Sequence, residues 1–350
     1  MKFHADECMV KVIGRTLMRE GTRYFNYPCS AVEFIFVGAR IEATFWSDSY
    51  SLEEKYRAWV AVFVNDEIEP SKRFSFHNDE ETIVLYEGEQ VQETKIRLVK
   101  LSEAACGKVG IKCFTIDSDI TPHPTQGKAN KLEFIGDSIT CGYGIEGRWN
   151  VDVFNTSQEN PWKAYAATTA RALDADYHLV AWSGIGIISS WTDQEEPLEG
   201  WLMPELYPFI DKSTDMTLGN TELELWDFKR FKPDCIIINL GTNDSSYTRN
   251  IPGRVKTFGT KYYDFINQVR KHNPQAQILC TIGTMGQDLY VEIEKQVKFL
   301  VQNGEDKIHT MLFDLQSEED GIGADWHPSM ITHKKMAIKL EEKLREIMNW

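Results

Sequence analysis

Three short runs of the sequence contain side chains that together could carry out acyl transfer. Residues 134–140 read Phe-Ile-Gly-Asp-Ser-Ile-Thr, residues 239–244 read Asn-Leu-Gly-Thr-Asn-Asp, and residues 325–329 read Asp-Trp-His-Pro-Ser. The first run offers a nucleophile in Ser138, and the others offer an amide donor and an imidazole base. A nucleophile, a base and a donor for the developing negative charge are the minimum set for acyl transfer.

The placement of Ser138 also favours a functional role. An apolar strand pattern ends at Gly136, and Ser138 follows where side chains at the carboxyl ends of parallel strands form ligand sites. A serine hydroxyl attacks only when a base accepts its proton, so His327 has to reach Ser138 although 189 positions separate them. A helix cap at Asp137 and Ser138, or an ordinary loop histidine, would not explain why all the motifs occur together.

The three motifs resemble those of the SGNH, or GDS-type, hydrolases. Within that group they are most similar to carbohydrate esterase family 2, acetyl-xylan esterases with an N-terminal β-sandwich. The resemblance covers residues 131–350 and implies a flavodoxin-like three-layer sandwich with a parallel sheet. It also implies an oxyanion hole formed by the backbone N–H groups of Ser138 and Gly184 and the side-chain amide of Asn243. Gly184 matches least specifically, because a glycine after a strand is often only a turn residue.

The partner of the second imidazole nitrogen of His327 is less clearly marked. The wider superfamily usually places an acid three residues before the histidine, where this chain has Ala324. Asp325 lies two residues before His327, as the resembled family tends to have it, and is predicted to complete a triad. The resemblance leaves a backbone carbonyl open as the alternative to the carboxylate. Either group would fix the imidazole tautomer and stabilise the imidazolium.

Tryptophans are dense around these motifs. An indole beside a nucleophile offers a flat apolar face on which a sugar ring can stack while its hydroxyls stay hydrated. Trp326 and Trp191 are predicted to line a substrate cleft, whereas Trp182 ends a strand and is predicted to belong to the core. The pattern favours a carbohydrate ester over a long acyl chain.

The elements that must position these residues divide into two domains, as expected for 350 residues. Residues 1–120 contain alternating apolar segments separated by turns, which predicts a β-sandwich of jelly-roll type. Residues 121–130 are rich in proline and are predicted to be a linker. Residues 131–350 alternate strands with helices, which predicts an α/β domain with a parallel sheet.

In the first domain, strands are predicted at 31–37, 40–46, 58–64, 82–86 and 94–100. In the second, strands are predicted at 132–136, 175–182, 235–240, 277–282 and 307–313, and helices at 162–173, 255–272, 289–303 and 330–348.

The net charge and the cysteine content indicate which classes of binding partner and cofactor are excluded. A formal net charge of −15 argues against nucleic acids and anionic membranes, which need clusters of basic residues. Seven cysteines without metal-ligand spacing predict buried thiols, no metal and no organic cofactor. The polar N-terminus predicts a cytoplasmic enzyme, or a secreted one if a leader was removed. The oligomeric state is left open, including a homo-oligomer.

The resemblance implies removal of O-acetyl groups from plant cell-wall saccharides, acetylated xylan or mannan or their oligosaccharides, through an acetyl-enzyme on Ser138. A lysophospholipase or acyl-thioesterase would use the same catalytic residues. A non-catalytic carbohydrate-binding protein is the alternative from another class. The sequence leaves three roles for the first domain: glycan binding, shaping of the cleft, or assembly.

Overall fold

The computed structural model describes all 350 residues, which divide into a β-sandwich up to Pro124 and an α/β domain from Asn130. The sandwich strands are β1 (Lys2–Phe3), β2 (Lys11–Ile13), β3 (Leu17–Arg19), β4 (Thr22–Tyr24), β5 (Ala31–Ser47), β6 (Trp59–Val64), β7 (Lys72–Ser75), β8 (Glu80–Lys100), β9 (Val109–Ile116) and β10 (His123–Pro124). Two short 3-10 helices, Ser49–Ser51 and Glu54–Tyr56, precede β6. All pairings within the sandwich are antiparallel.

Two long strands run through both layers of the sandwich. The first half of β5 pairs with β2 and with the second half of β8, while the second half of β5 pairs with β9. Register shifts between Gly38 and Arg40 and between Ile41 and Glu42 mark the bend. The segments predicted as separate strands at 31–37 and 40–46 are therefore one strand, because the residues between them form a bulge and not a turn. The segments predicted as separate strands at 82–86 and 94–100 are likewise one strand, β8.

One layer of the sandwich is buried on both faces. Phe34 and Phe36 of β5 point between the layers, where Phe34 packs against Phe114 with ring centroids 4.8 Å apart. From the opposite face, Phe63 of β6 packs against Trp162 of the α/β domain at 4.5 Å. A single apolar cluster of 28 buried residues thus contains side chains from both domains. The sandwich is joined to its neighbour by a shared core and not only by the chain.

The predicted linker is partly a strand. His123 and Pro124 form β10, which pairs with Ile35 and Phe34 of β5. An edge strand tolerates proline because its outer side has no ladder hydrogen bonds to make. The sandwich therefore extends past the predicted boundary at residue 120, and only residues 125–129 connect the domains.

The α/β domain is built on a five-stranded parallel sheet in the order β12-β11-β13-β14-β15. Its strands are β11 (Asn130–Gly136), β12 (Ala175–Ala181), β13 (Cys235–Asn239), β14 (Gln277–Ile282) and β15 (Ile308–Leu312). Its helices are α1 (Ser138–Cys141), α2 (Tyr165–Ala172), α3 (Met203–Leu206), α4 (Lys212–Thr217), α5 (Thr242–Thr248), α6 (Pro252–His272), α7 (Tyr290–Gln302) and α8 (Met330–Met348). Three 3-10 helices lie at Thr156–Gln158, Glu318–Asp320 and Ala324–Trp326.

Helices cover both faces of this sheet, which confirms the predicted three-layer fold. Helices α2 and α8 contribute to the apolar cluster on one face, and α6 and α7 contribute to that on the other. The predicted strands and long helices all occur, with ends within three residues of those predicted. The four short helices were not predicted, because four to seven residues are too few to show a helical period.

All seven cysteines are unpaired, and five of them are buried. None of the helices combines the length and the apolar composition needed to span a bilayer.

Candidate active site

The predicted site residues meet at the carboxyl ends of the three strands β12, β11 and β13. Ser138 begins α1 directly after β11, Gly184 follows β12, and Asn243 lies in the first turn of α5 after β13. Because β11 lies between β12 and β13, these three loops open at one edge of the sheet.

A tight strand-to-helix turn holds Ser138. Asp137 caps α1 by accepting the N–H of Ile139 at 3.0 Å, and Gly142 ends the helix in the left-handed conformation. A Cβ at Gly136 would collide with the side chain of Thr140, so the turn requires glycine there. The resulting one-turn helix presents the N–H of Ser138 at its first position, where no intrahelical acceptor exists.

His327 reaches Ser138 from the loop before α8. Its Nε2 lies 2.9 Å from the Oγ of Ser138. The loop is fixed by the N–H of Gly323, which donates to the His327 carbonyl at 2.7 Å, and by the N–H of Ala324, which donates to the Gly144 carbonyl at 3.0 Å. Nucleophile and base are therefore in hydrogen-bond contact, as the predicted roles require.

The side chain of Asp325 makes no hydrogen bond to His327, so the structure has the backbone-carbonyl alternative in place of the predicted triad carboxylate. The Nδ1 of His327 instead faces the backbone carbonyl of Asp325 at 3.0 Å. Asp325 and Trp326 both have positive φ angles, 50° and 65°, and this backbone turns the carbonyl toward the ring. Such left-handed residues cost about 1–3 kcal/mol each and recur at functional sites. The Asp325 carboxylate accepts the hydroxyl of Tyr143 at 2.9 Å.

The other two predicted oxyanion donors lie in the loops that follow the two strands next to β11. The N–H of Ile185 donates to the Trp182 carbonyl at 3.3 Å and closes a turn, in which Gly184 has a φ of +78° that favours glycine. The N–H of Gly184 has no hydrogen-bond partner in the protein. The amide of Asn243 donates to the Ile185 carbonyl at 2.9 Å and to Asp137 at 3.3 Å. The Asn243 side chain therefore bridges Ile185, which follows Gly184, and Asp137, which precedes Ser138.

Asp244 supports this arrangement and had no predicted role. Its buried carboxylate accepts the N–H groups of Ile187, Ile188 and Ser189 at 2.7–3.2 Å. Burial raises the pKa of Asp244 to about 6 despite these three donors. The carboxylate anchors the chain that leaves the Gly184 turn. The sequence feature that could have indicated this role is the position of Asp244 next to Asn243 in the Gly-Thr-Asn-Asp motif.

Tyr143 and Phe154 also line the site without having been assigned to it. The ring of Tyr143 lies 4.3 Å from the imidazole of His327 and stacks on Phe154 at 3.6 Å. Burial raises the pKa of Tyr143 well above its usual range, so its hydroxyl remains a donor. Tyr143 was one of many aromatic residues near the motifs, and no spacing distinguished it.

The two tryptophans predicted to line a cleft flank the nucleophile and remain accessible. Trp326 is 38% exposed and packs edge-on against Trp149, which is 39% exposed, with ring centroids 4.3 Å apart. Trp191 is 60% exposed, and its backbone N–H donates to the Gly184 carbonyl at 2.8 Å. Trp182 is half-buried and packs on Trp201 at the edge of the core. Three exposed indoles are therefore linked, directly or through one neighbour, to the loops that carry His327 and Gly184.

The electrostatics of His327 predict an unusually low acidic limit of activity. Partial withdrawal from water lowers the pKa of His327 to about 4, although the Asp325 and Ala324 carbonyls oppose the shift. A base must be neutral to accept the proton of Ser138, and a histidine with a lowered pKa stays neutral as the pH falls. We expect kcat/KM to hold down to about pH 5 and to fall by half near pH 4.

This limit is measured by acetate release from 4-nitrophenyl acetate between about pH 3.5 and 8, with samples returned to neutral pH to detect acid inactivation. A half-point near pH 6 or 7 would contradict the lowered pKa of His327. It would mean either that this imidazole titrates near its ordinary pKa or that Asp137, whose pKa burial raises to about 7, limits the rate.

The fold and the site together define an SGNH-type, or GDSL-type, acylhydrolase domain behind a β-sandwich. The family model described as "GDSL-like Lipase/Acylhydrolase family" matches residues 134–302. The model described as "Carbohydrate esterase 2 N-terminal" matches residues 12–124. The two matches correspond to the two domains of the structure.

Comparison with individual proteins identifies the family. A family two carbohydrate esterase from Clostridium thermocellum, solved in complex with cellohexaose, superposes with a TM-score of 0.85 at 30% identity, over 97% of this chain and 99% of that one. The acetylxylan esterase / glucomannan deacetylase of Cellvibrio japonicus is 29% identical over 353 residues, which are 99% of this chain and 91% of that protein. The chain belongs to carbohydrate esterase family 2.

A further relative is longer than this chain. The cellulase/esterase CelE of Acetivibrio thermocellus is 32% identical over 323 residues, which are 89% of this chain. The match covers only 37% of CelE.

Proposed function

We propose that this protein is a serine esterase that removes O-acetyl groups from plant cell-wall saccharides, either acetylated xylan or mannan or their oligosaccharides. The observation that carries the proposal is the 2.9 Å contact between Ser138 and His327, with Nδ1 of the histidine on a backbone carbonyl. The relative from Cellvibrio japonicus, named an acetylxylan esterase / glucomannan deacetylase, supports the choice of ester.

In the proposed reaction, the Oγ of Ser138 attacks the acetyl carbonyl carbon while its proton passes to Nε2 of His327. Negative charge develops on the carbonyl oxygen and is stabilised by the N–H groups of Ser138 and Gly184. The amide of Asn243 becomes the third donor when the N–H that it gives to Asp137 at 3.3 Å turns to this oxygen. One such donor contributes about 3 kcal/mol in a water-excluded site. The bond to the sugar oxygen then breaks, this oxygen takes the proton from His327, and the acetyl group remains on Ser138.

Hydrolysis of the acetyl-enzyme follows the same steps with water as the nucleophile. Water attacks the acetyl carbonyl while His327 accepts its proton. The bond to Oγ breaks, acetate leaves, and Ser138 recovers the proton from His327. No cofactor or metal is required for either half of the reaction.

The exposed indoles support a saccharide as the alcohol part of the ester. Trp326, Trp149 and Trp191 offer flat apolar surfaces next to the nucleophile, on which pyranose rings can stack. The Clostridium thermocellum relative was solved with cellohexaose, a linear sugar chain. Stacking surfaces of this kind favour a saccharide ester over a long-chain ester.

The test is the dependence of initial rate on acyl length and on the alcohol. With 4-nitrophenyl acetate, butyrate and octanoate, we expect kcat/KM to fall by about tenfold or more from acetate to octanoate, because a small acyl site excludes added methylenes. Acetate release from acetylated xylo- and manno-oligosaccharides is expected alongside. A preference for octanoate without acetate release from the sugars would contradict the proposal and favour a lipid or thioester substrate.

A further inference from the structure

The loop between β8 and β9, residues 101–108, places a buried carboxylate of the sandwich next to the active site. The Oε2 of Glu103 accepts the N–H of Ser183 at 2.7 Å and lies 3.8 Å from the Sγ of Cys141. Ser183 precedes Gly184 in the turn that follows β12, and Cys141 ends the helix that Ser138 begins. One oxygen atom of the sandwich domain thus contacts both the oxyanion turn and the nucleophile helix.

The loop that carries Glu103 is itself held by buried polar groups. Lys100 donates to the Ser102 carbonyl at 2.8 Å and to the Glu103 carbonyl at 3.4 Å. The N–H of Glu103 donates to Glu159 of the α/β domain at 3.2 Å. All of these residues are buried, and burial raises the pKa values of both carboxyl groups while the positive charge of Lys100 opposes the shift. The position of the Glu103 carboxylate is therefore fixed from both domains.

The turn that Glu103 contacts is held on its far side by the bonds from Asn243 to the Ile185 carbonyl and from Ile185 to the Trp182 carbonyl. On its near side the Glu103 carboxylate holds Ser183, while a Cβ built at Gly184 itself would meet no atom within 4 Å. The Gly184 carbonyl accepts the N–H of Trp191, but the Gly184 N–H has no partner. The N–H groups of Ser183 and Gly184 belong to consecutive peptide units that share the Cα of Ser183, so the bond to Glu103 fixes one of the two units and leaves only the φ and ψ of Ser183 between it and the Gly184 N–H.

We propose that Glu103 is a positioning residue, which holds the turn at residues 182–185 so that the Gly184 N–H is directed at the substrate carbonyl oxygen. The proposal rests on the esterase function proposed above and deepens it. It gives the sandwich a part in catalysis without contact to the substrate. Donors that are already oriented need no reorganisation when charge develops, and removal of one costs about 10²–10³ in kcat.

Two substitutions of Glu103 test this role. Glu103→Ala leaves the Ser183 N–H without an acceptor, and we expect kcat for 4-nitrophenyl acetate to fall by about 10- to 100-fold, below the cost of losing a whole donor. KM is expected to change by less than about threefold, because the loss falls on the transition state. Glu103→Gln keeps an acceptor oxygen and is expected to retain kcat within about fivefold.

The matched control is Lys11→Ala, because Lys11 also bridges the domains, with its Nζ 2.5 Å from Asp176. Asp176 lies at the amino-terminal end of β12, away from the site, so unchanged kcat is expected for this variant. Circular dichroism and thermal midpoints establish that each variant is folded. If Glu103→Ala does not fold, Glu103→Asp replaces it, since the shorter side chain keeps the charge but does not reach Ser183, and the same loss of kcat is expected.

A second readout separates this proposal from the function on which it rests. A fluorophosphonate probe forms a bond from the Oγ of Ser138 to phosphorus and releases fluoride, and the phosphoryl oxygen occupies the oxyanion position. Labelling is expected to slow in Glu103→Ala by a factor similar to that in kcat. Wild-type labelling and kcat in a folded Glu103→Ala, or an equal loss in Lys11→Ala, would overturn the positioning role. Glu103-dependent labelling without any ester hydrolysis by the wild type would overturn the esterase function alone.

Discussion

Replacement of Ser138 by alanine is expected to lower kcat for 4-nitrophenyl acetate by about 10⁶-fold, the loss measured when a serine hydrolase loses its nucleophile. The residual rate would come from the oxyanion donors and from binding. The fold is expected to survive, because Ser138 lies in a helix and alanine has a high helix propensity. The only side-chain partner of the removed hydroxyl is His327, which stays in contact with solvent.

The rate is measured with freshly purified wild type and variant at equal concentration, with acetate release from an acetylated xylo-oligosaccharide alongside. Ser30→Ala is the matched control, since Ser30 is also buried but lies in the sandwich, where its hydroxyl donates to the Tyr27 carbonyl at 2.7 Å. Residual activity of Ser138→Ala above about one hundredth of the wild-type rate would mean that another group is the nucleophile, because no known contribution of binding alone is so large.

The second large effect is expected at His327, together with a small one at Asp325. His327→Ala removes the group that accepts the Ser138 proton and is expected to lower kcat by about 10⁵- to 10⁶-fold. Asp325→Asn is expected to lower kcat by less than about tenfold, although loss of a tautomer-fixing carboxylate can cost about 10⁴. The difference follows from the structure, because the Nδ1 of His327 faces the carbonyl of Asp325 and not its side chain.

Asparagine is the appropriate replacement at Asp325 for two reasons. It tolerates the positive φ of this position better than alanine does, and its side-chain oxygen can still accept the hydroxyl of Tyr143. Both variants are assayed at saturating 4-nitrophenyl acetate, and circular dichroism verifies the fold. A loss near 10⁴ in Asp325→Asn would show that the carboxylate moves onto the imidazole when substrate binds.

Much of this architecture could be predicted because its signals are local. The strands of the α/β domain are short apolar runs, and its long helices have the helical period, so their positions follow from side-chain burial. Ser138, Asn243 and His327 each lie in a motif just after a strand or before a helix, where the chain must turn. The contact of Ser138 with His327 follows once these motifs are placed at one edge of a parallel sheet.

The orientation of His327 could not be predicted, because it depends on backbone angles. Whether the carbonyl or the carboxylate of Asp325 faces the imidazole is decided by the positive φ values of Asp325 and Trp326. Neither aspartate nor tryptophan predicts a positive φ from its residue type, whereas a glycine would have indicated one. Glu103 was missed for a different reason, since 80 positions separate it from Ser183 and no motif surrounds it.

The shared apolar cluster also determines where the gene can be cut for expression of a shorter protein. Ala31, Ala61 and Phe63 of the sandwich are buried against Trp162 and the helix that follows it. A clone that begins at the α/β domain would therefore produce a chain with a bare apolar face, which invites aggregation during expression. The first 124 residues are not a detachable module to be exchanged between enzymes. The two domains should be moved together.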